Sequence, residues 1–257
     1  MRLTLLGTGT STGIPQIGCD CAVCLSDDPR DRRSRCAALI ESGGTTLLID
    51  TPPELRLQLI GAGVRQIDGV LYTHEHADHV AGIDDLRTLS LRRPGPLPVF
   101  AAQHTLEYIR ERYRYIFDEA PLPPGTSKPR LSLAAIAPGV ITQIGSLAVL
   151  PLRFEHGSTP VLGFRIGALG YITDAKWVGD PELTALRGVS VLVLNALWWR
   201  PHPTHLSIPE AIELARAIGA TRTILTHLSH ETGHAELAAR LPSGVEPGYD
   251  GLTVEIP

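Results

Sequence analysis

The chain has 257 residues, is 43% apolar and 19% charged, and carries a formal net charge of −4, the profile of one large or two small globular domains with enough chain to bury a core. The slightly negative balance excludes bulk electrostatic attraction to DNA or RNA, leaving only a local basic groove. No apolar run reaches membrane-span length, and Met1 leads straight into the strand-like Arg2–Thr8 without a leader pattern, so no membrane partner is expected and the cytoplasm is the expected compartment. There, four cysteines are expected as thiols or metal ligands rather than disulfides.

Short β-branched runs alternate with helical patterns along the chain. Leu3–Leu6, Ala37–Glu41, Thr45–Ile49 and Gly69–Tyr72 read as strands, and Glu54–Ala62 as a helix opened by Pro52-Pro53 and closed near Gly63. Leu86–Leu91 and Leu106–Ile116 read as helices flanking a short strand at Pro98–Phe100, and the Pro-rich Ala120–Arg130 as a loop or flap. In the second half Leu147–Phe154, Leu162–Ile166, Tyr171–Thr173, Val189–Asn195 and Thr223–Thr226 read as strands. Ile208–Ile218 is a strongly amphipathic helix, with Ser207 as N-cap, Glu210 three residues later and Gly219 past its end. Ala235–Leu241 closes the helical set. Strands gathered before helices in each half suggest an α+β chain of two sheet-plus-helix halves packed sheet to sheet.

The densest chemistry lies in Thr73-His74-Glu75-His76-Ala77-Asp78-His79-Val80. Four ligand-type side chains, His74, His76, Asp78 and His79, fall within six positions. In an extended segment alternation would put His74, His76 and Asp78 on one side and His79 on another. One ion cannot use all four, so two adjacent ions are expected, a centre that acidifies water and clamps both oxygens of a displacement. His156, Asp174 and His227 each stand near a strand end, where functional side chains collect on a rigid scaffold. Together they complete seven ligands, with Asp174 between the ions and room left for water and substrate.

A second cluster, Cys19-Asp20-Cys21-Ala22-Val23-Cys24, offers three thiolates in six residues and suggests a structural zinc site. Its fourth ligand is Cys36 or His230. Cys36 lies beside the apolar Ala37-Ala38-Leu39-Ile40 and suits packing, so His230 is preferred.

The order His74-x-His76-x-Asp78-His79, His156, Asp174, His227 resembles the metallo-β-lactamase superfamily across the whole chain. The resemblance implies a single four-layer αββα domain over residues 1–257, within which the cysteine cluster marks residues 18–36 as a structural zinc loop. It implies that His74, His76 and His156 hold one ion, that Asp78, His79 and His227 hold the other, and that Asp174 bridges them. It also implies that Asp50, after Thr45–Ile49, orients an imidazole from behind. No cysteine lies near the late ligands in sequence, which disfavours β-lactam hydrolysis. Gly18-Cys19-x-Cys21-x-x-Cys24, Leu225-Thr226-His227-x-Ser229-His230 and the closing segment Leu241–Gly251 resemble the PhnP-type cyclic phosphodiesterases. In that group the three cysteines and the late histidine bind structural zinc. The reaction is hydrolysis of ribosyl 1,2-cyclic phosphate, with some activity on 2′,3′-cyclic nucleotides.

That resemblance assigns the catalytic histidine to His205, just before the amphipathic helix; spacing alone leaves His202 equally open. Asp174, with Asp78, would orient the attacking water, and His205 would stabilise phosphoryl oxygens or protonate the leaving oxygen. Two zinc or manganese ions fit the active-site donors equally well. The expected partner is a small phosphodiester rather than stably bound nucleic acid, and a homodimer is compatible with the resemblance. The rivals are a tRNA 3′-processing endonuclease, whose long gripping arm is not visible here, a lactonase or thioesterase, and a non-catalytic scaffold. Gly7–Gly13 matches neither phosphate-loop pattern and reads as a strand-to-loop turn. Arg30, Arg32, Arg33 and Arg35 read as a solvated run, His104 and His234 as surface or capping residues. Trp198-Trp199 either stack on a base or ribose or pack against the site wall.

Overall fold

The computed structural model describes residues 1–257, and its strands form two seven-stranded sheets. The first runs, in spatial order, β14 (Thr253–Glu255), β1 (Arg2–Gly7), β2 (Ala37–Ser42), β3 (Thr45–Ile49), β4 (Gly69–Leu71), β5 (Leu97–Ala101) and β6 (Leu131–Ala135). The second runs β13 (Val245–Pro247), β12 (Arg222–Thr226), β11 (Val191–Asn195), β10 (Leu169–Ile172), β9 (Thr159–Ile166), β8 (Leu147–His156) and β7 (Thr142–Ile144). Each sheet is antiparallel at one end and parallel at the other: β14 to β3 and β7 to β10 alternate, while β3 to β6 and β10 to β13 run parallel. Chain ends meet at one edge, where the Met1 amine donates to the Ile256 carbonyl at 2.9 Å.

The layering follows from period-two alternation along strands that are buried on both faces. In β3, Leu47 and Ile49 join the cluster between the sheets, while Leu48 joins the cluster beneath the first helical layer. In β11, Val191 and Val193 face between the sheets, and Leu192 and Leu194 face the second helical layer. The buried apolar residues divide into three clusters of 22, 18 and 18, the three interfaces that a four-layer αββα sandwich requires. The outer layers comprise α1 (Leu55–Gly61), α2 (Ala77–Val80), α3 (Leu86–Leu91), α4 (Gln103–Arg112) and α5 (Arg114–Phe117) on one side. On the other side lie α6 (Asp180–Leu186), α7 (Ile208–Ile218) and α8 (His234–Arg240). No helix is long and apolar enough to cross a membrane.

Local signals set α7 as expected. The Ser207 hydroxyl accepts from Glu210 N, Glu210 Oε2 accepts from Ser207 N at 2.8 Å, and Gly219 takes the left-handed C-cap at φ 79°. Two expectations fail. The helix expected over Leu106–Ile116 is two helices broken at Tyr113 (φ −109°, ψ 40°). The ligand motif is not extended through Asp78: the chain turns into α2 at Ala77, with His76 as its N-cap. Four short strands and α6 were not evident from pattern; β13 carries Pro247, and β6, β7, β13 and β14 have one neighbour strand each.

Candidate metal centre

The turn into α2 separates the motif into two ligand groups. His74 and His76 meet His156 from the end of β8; Asp78 and His79, on α2, meet Asp174 and His227. Within each group the ligand atoms lie within 4.8 Å of one another. Asp174 joins the groups. Its Oδ1 is 3.4 Å from His79 Nε2; its Oδ2 is 3.2 Å from His227 Nε2 and 4.0 Å from His74 Nε2. His79 Nε2 is also 3.3 Å from Asp78 Oδ2. Two donors sharing one ion at about 2.0–2.2 Å each are separated by roughly 3.1–3.6 Å, so the short separations suit shared ions.

The hydrogen bonds behind the ligands set their tautomers. Asp50 accepts from Thr73 N at 2.9 Å, Thr73 Oγ1 at 2.8 Å and His79 Nδ1 at 2.7 Å. Thr73 has spent its only hydroxyl proton on Asp50, so its contact with His74 Nδ1 at 3.0 Å must be accepted from the ring. His156 Nδ1 donates to the Thr204 carbonyl at 2.9 Å. In His74, His79 and His156 the proton therefore sits on Nδ1 and Nε2 is left with a lone pair. The Nε2 atoms of His74, His79 and His227 are buried without a hydrogen-bond partner. Orphaned acceptors converging on carboxylates are the signature of a cation site.

Without an ion the electrostatics pull against each other. Burial opposes charge on Asp174, but His227 and His79 outweigh it and hold its pKa well below the carboxylate range. Burial likewise opposes protonation of His79, yet Asp174, Asp78 and Asp50 raise its pKa well above the ordinary value. His74 is driven well down, first by burial and then by His79. A divalent ion would neutralise these carboxylates without a second proton on any ring.

Backbone strain marks the same place. Asp50, Asp174 and His227 are the three non-glycine residues with positive φ, at 62°, 52° and 57°. Such conformations cost about 1–3 kcal/mol each and persist where surroundings over-determine them. Asp174 shows how: Asn195 clamps both backbone groups of the next residue, accepting from Ala175 N and donating to Ala175 O, each at 3.0 Å. Asp50→Asn would keep a residue type at ease with positive φ but upset the proton order at Thr73 and His79. Ion affinity measured by calorimetry is expected to fall about 10–100-fold; an unchanged affinity would remove Asp50 from this role.

The structure separates the two candidate histidines before α7. His205 is buried against the ligands, its ring 4.4 Å from that of His156 and 4.6 Å from that of His227. Its orphaned Nδ1 stands 4.0 Å from Asp174 Oδ2. Burial and then His227 press its pKa down to about 3. His202 lies one step outward, 5.1 Å from His205, with Nδ1 accepting from Thr204 N at 3.3 Å. Of the tryptophans, Trp198 has its ring covered by Arg200 at 3.8 Å, and Trp199 donates to Thr232 Oγ1 at 3.0 Å. Both pack and neither offers both faces to a base.

The cysteine expectation also meets its geometry. Cys19, Cys21 and Cys24 Sγ lie 3.4, 3.3 and 3.5 Å from His230 Nδ1. A tetrahedral ion with sulfur at about 2.3 Å and nitrogen at about 2.0–2.1 Å would set them roughly 3.6 Å apart, so the four residues could hold one. Cys36 is elsewhere: it is buried, its Sγ is 3.3 Å from Gly9 O and 3.4 Å from Thr226 Oγ1, and burial pushes its pKa up to about 12. It thus sits behind the late ligands, a proximity that sequence distance hides.

Two surface assignments need correction. Arg33 is 2% exposed and contacts Thr8 Oγ1 at 2.9 Å and His234 Nδ1 at 3.3 Å; it also donates to Gly248 O. His234 is itself buried, its backbone N donating to Asp31 at 2.6 Å. Gly7–Gly13 is a strand-to-loop turn as expected, with Gly9 bridging to Arg35 and Leu228. The large groove, about 1050 Å³, lined by Arg2, Glu41, Leu57, Gln58 and Arg65, contains none of the ligands.

A family model described as a β-lactamase superfamily domain matches residues 45–228. A crystal structure described as a new diphosphatase from the PhnP family superposes with a TM-score of 0.92 at 36% identity, covering 100% of this chain and 98% of that one. A ribonuclease Z from a Bradyrhizobium species is 30% identical over 295 residues, covering 88% of this chain and 96% of that protein. A protein named octanoyltransferase from Porphyromonas gingivalis is 44% identical over 255 residues, covering 98% of this chain and 51% of that protein. The chain thus spans about half the length of that last relative.

Proposed function

The chain belongs to the metallo-β-lactamase superfamily, and from that premise we propose that it is a dinuclear metal-dependent hydrolase of a small cyclic or nucleotide-like phosphodiester. The carrying observation is the pair of ligand groups joined by Asp174, with His205 buried beside them. His74, His76 and His156 would hold one ion, Asp78, His79 and His227 the other, with Asp174 within reach of both groups. Zinc or manganese suits these nitrogen and oxygen donors. The chemistry supplied by ions held there is acidification of water and neutralisation of charge on phosphoryl oxygens. Cys19, Cys21, Cys24 and His230 would hold a separate structural zinc.

The chain's own groups do the rest. Asp174, fixed by Thr173 Oγ1 at 2.6 Å and by the Asn195 clamp, accepts a hydrogen bond from the incoming water and aims it. His205 donates a hydrogen bond to an oxygen on which charge builds as the diester opens. Burial keeps its imidazole neutral, so it acts as a donor of hydrogen bonds rather than as a standing cation.

A second reading, cleavage of a diphosphate, is favoured by the diphosphatase of the PhnP family at 36% identity. Ribonuclease Z relatives also support phosphodiester chemistry. The octanoyltransferase name belongs to a protein about twice this length and assigns no activity to the matched half. One panel decides: ribosyl 1,2-cyclic phosphate, 2′,3′-cyclic nucleotides, a nucleoside diphosphate derivative, pre-tRNA and a lactone. Turnover confined to the cyclic esters supports the leading reading. Preference for the diphosphate supports the second, and preference for pre-tRNA or the lactone overturns both.

A further inference from the structure

Of the five histidines of the centre, half-buried His76 makes no ring hydrogen bond, and the four buried more deeply or held at a strand end, His74, His79, His156 and His227, differ in what holds them. The first three have Nδ1 anchored by a hydrogen bond to Thr73, Asp50 or Thr204. His227 has no such anchor: both of its ring nitrogens are buried and unpartnered. With no hydrogen bond at Nδ1, its ring rests on that of His205, 4.6 Å away, and on a backbone strained at φ 57°. The restraint on that backbone must come from the loop that follows β12.

That loop is fastened at successive points after His227, Ser229 N also donating to Leu197 O at 3.1 Å. On the near side Leu228 N donates to Thr8 O at 3.0 Å and Thr10 N donates to Leu228 O at 3.1 Å. On the far side His230, three residues on, is enclosed by the thiols of Cys19, Cys21 and Cys24 at 3.3–3.5 Å. Sulfur contacts of that length hold an imidazole weakly by themselves; an ion among them makes a rigid joint. Arg200 pairs with Glu231 at 2.5 Å, but its side chain is 60% exposed and adds little rigidity.

We propose that the Cys19–Cys21–Cys24–His230 cluster positions His227, so that its occupancy governs the ion affinity of the Asp78–His79–His227 group. This rests on the reading above, in which the cysteine cluster carries a metal. The His74–His76–His156 group has no ligand on this loop and is the internal control. Removal of the joint frees His227 while leaving the anchored histidines in place.

The test compares zinc content and zinc affinity of the full chain with His230→Ala and His230→Cys, the latter keeping four ligands. Wild type and His230→Cys are expected to hold three ions. His230→Ala is expected to hold one tightly, having lost the cysteine-site ion and weakened the His227 group at least about tenfold. Loss of one ion, with both remaining affinities unchanged, overturns the coupling. Should His230→Ala not fold by circular dichroism, titration of wild type with a mercurial thiol reagent serves instead. Release of two ions as Cys19, Cys21 and Cys24 react supports the coupling, and release of one contradicts it. A wild type holding only two ions, with none released by the mercurial, overturns the cysteine-site reading itself.

Discussion

His205→Ala is expected to lower kcat on a small phosphodiester by about 10²–10⁴-fold while zinc content stays at the wild-type level. The size follows from where the ring sits. It lies between His156 and His227, tilted to the first and stacked on the second, with Nδ1 buried and unpartnered 4.0 Å from Asp174. A buried donor with no protein partner is free for substrate, and its removal leaves developing charge on an oxygen unanswered. His202→Ala is the control: its Nδ1 is engaged by Thr204 and its ring lies farther out, so its effect should be much smaller. Because His156, Asp174 and His205 also lie close enough to share an ion, zinc content must be read alongside turnover. A drop in zinc would make His205 a ligand, and unchanged kcat would remove it from the mechanism.

The second large effect is at Asp174. Asp174→Asn keeps a side chain that tolerates positive φ and nearly the same volume, yet loses the negative charge between the ligand groups. Both oxygens are in use, Oδ1 toward His79 and Oδ2 toward His227 and His74. Zinc affinity is expected to fall by at least about 100-fold, since loss of a mere supporting partner costs up to that, and turnover should fall with it. The ion-free protein should lose stability as well. With Asp174 neutral, the charge of His79 keeps Asp78 and Asp50 as partners, so the loss should stay below the about 3–5 kcal/mol that an unanswered buried charge costs. Calorimetric zinc titration and urea unfolding of the ion-free protein measure the two effects separately. Wild-type affinity in Asp174→Asn would contradict the bridging assignment.

Local signals made part of this legible in sequence. The bounds of α7 follow from Ser207, Glu210 and Gly219, which act within a few residues. Those of β3 follow from a short apolar run between turns. The density of His74, His76, Asp78 and His79 showed the ligands, but the helix that parts them into two groups was hidden. A one-turn helix of four residues is too short for its period to register. Arg33 reads as solvated and His234 as a surface or capping residue because their burial depends on distant partners: Arg33 meets His234 and Gly248, about 200 residues away. Cys36 stands behind Thr226 for the same reason. The edge strands β13 and β14 are short and owe their conformation to the neighbours they pair with. The choice between His205 and His202 lay outside any spacing rule, since only the packed rings place one of them against Asp174.

The most direct test of the dinuclear assignment is hydrolysis of bis-p-nitrophenyl phosphate by ion-stripped protein, followed as zinc or manganese is added back in measured equivalents to chain whose cysteine site is already filled. The account predicts little activity without the ions and a rise that saturates at two further equivalents per chain. Saturation at one equivalent would contradict the dinuclear centre, and absence of turnover with all sites filled would contradict phosphodiester hydrolysis.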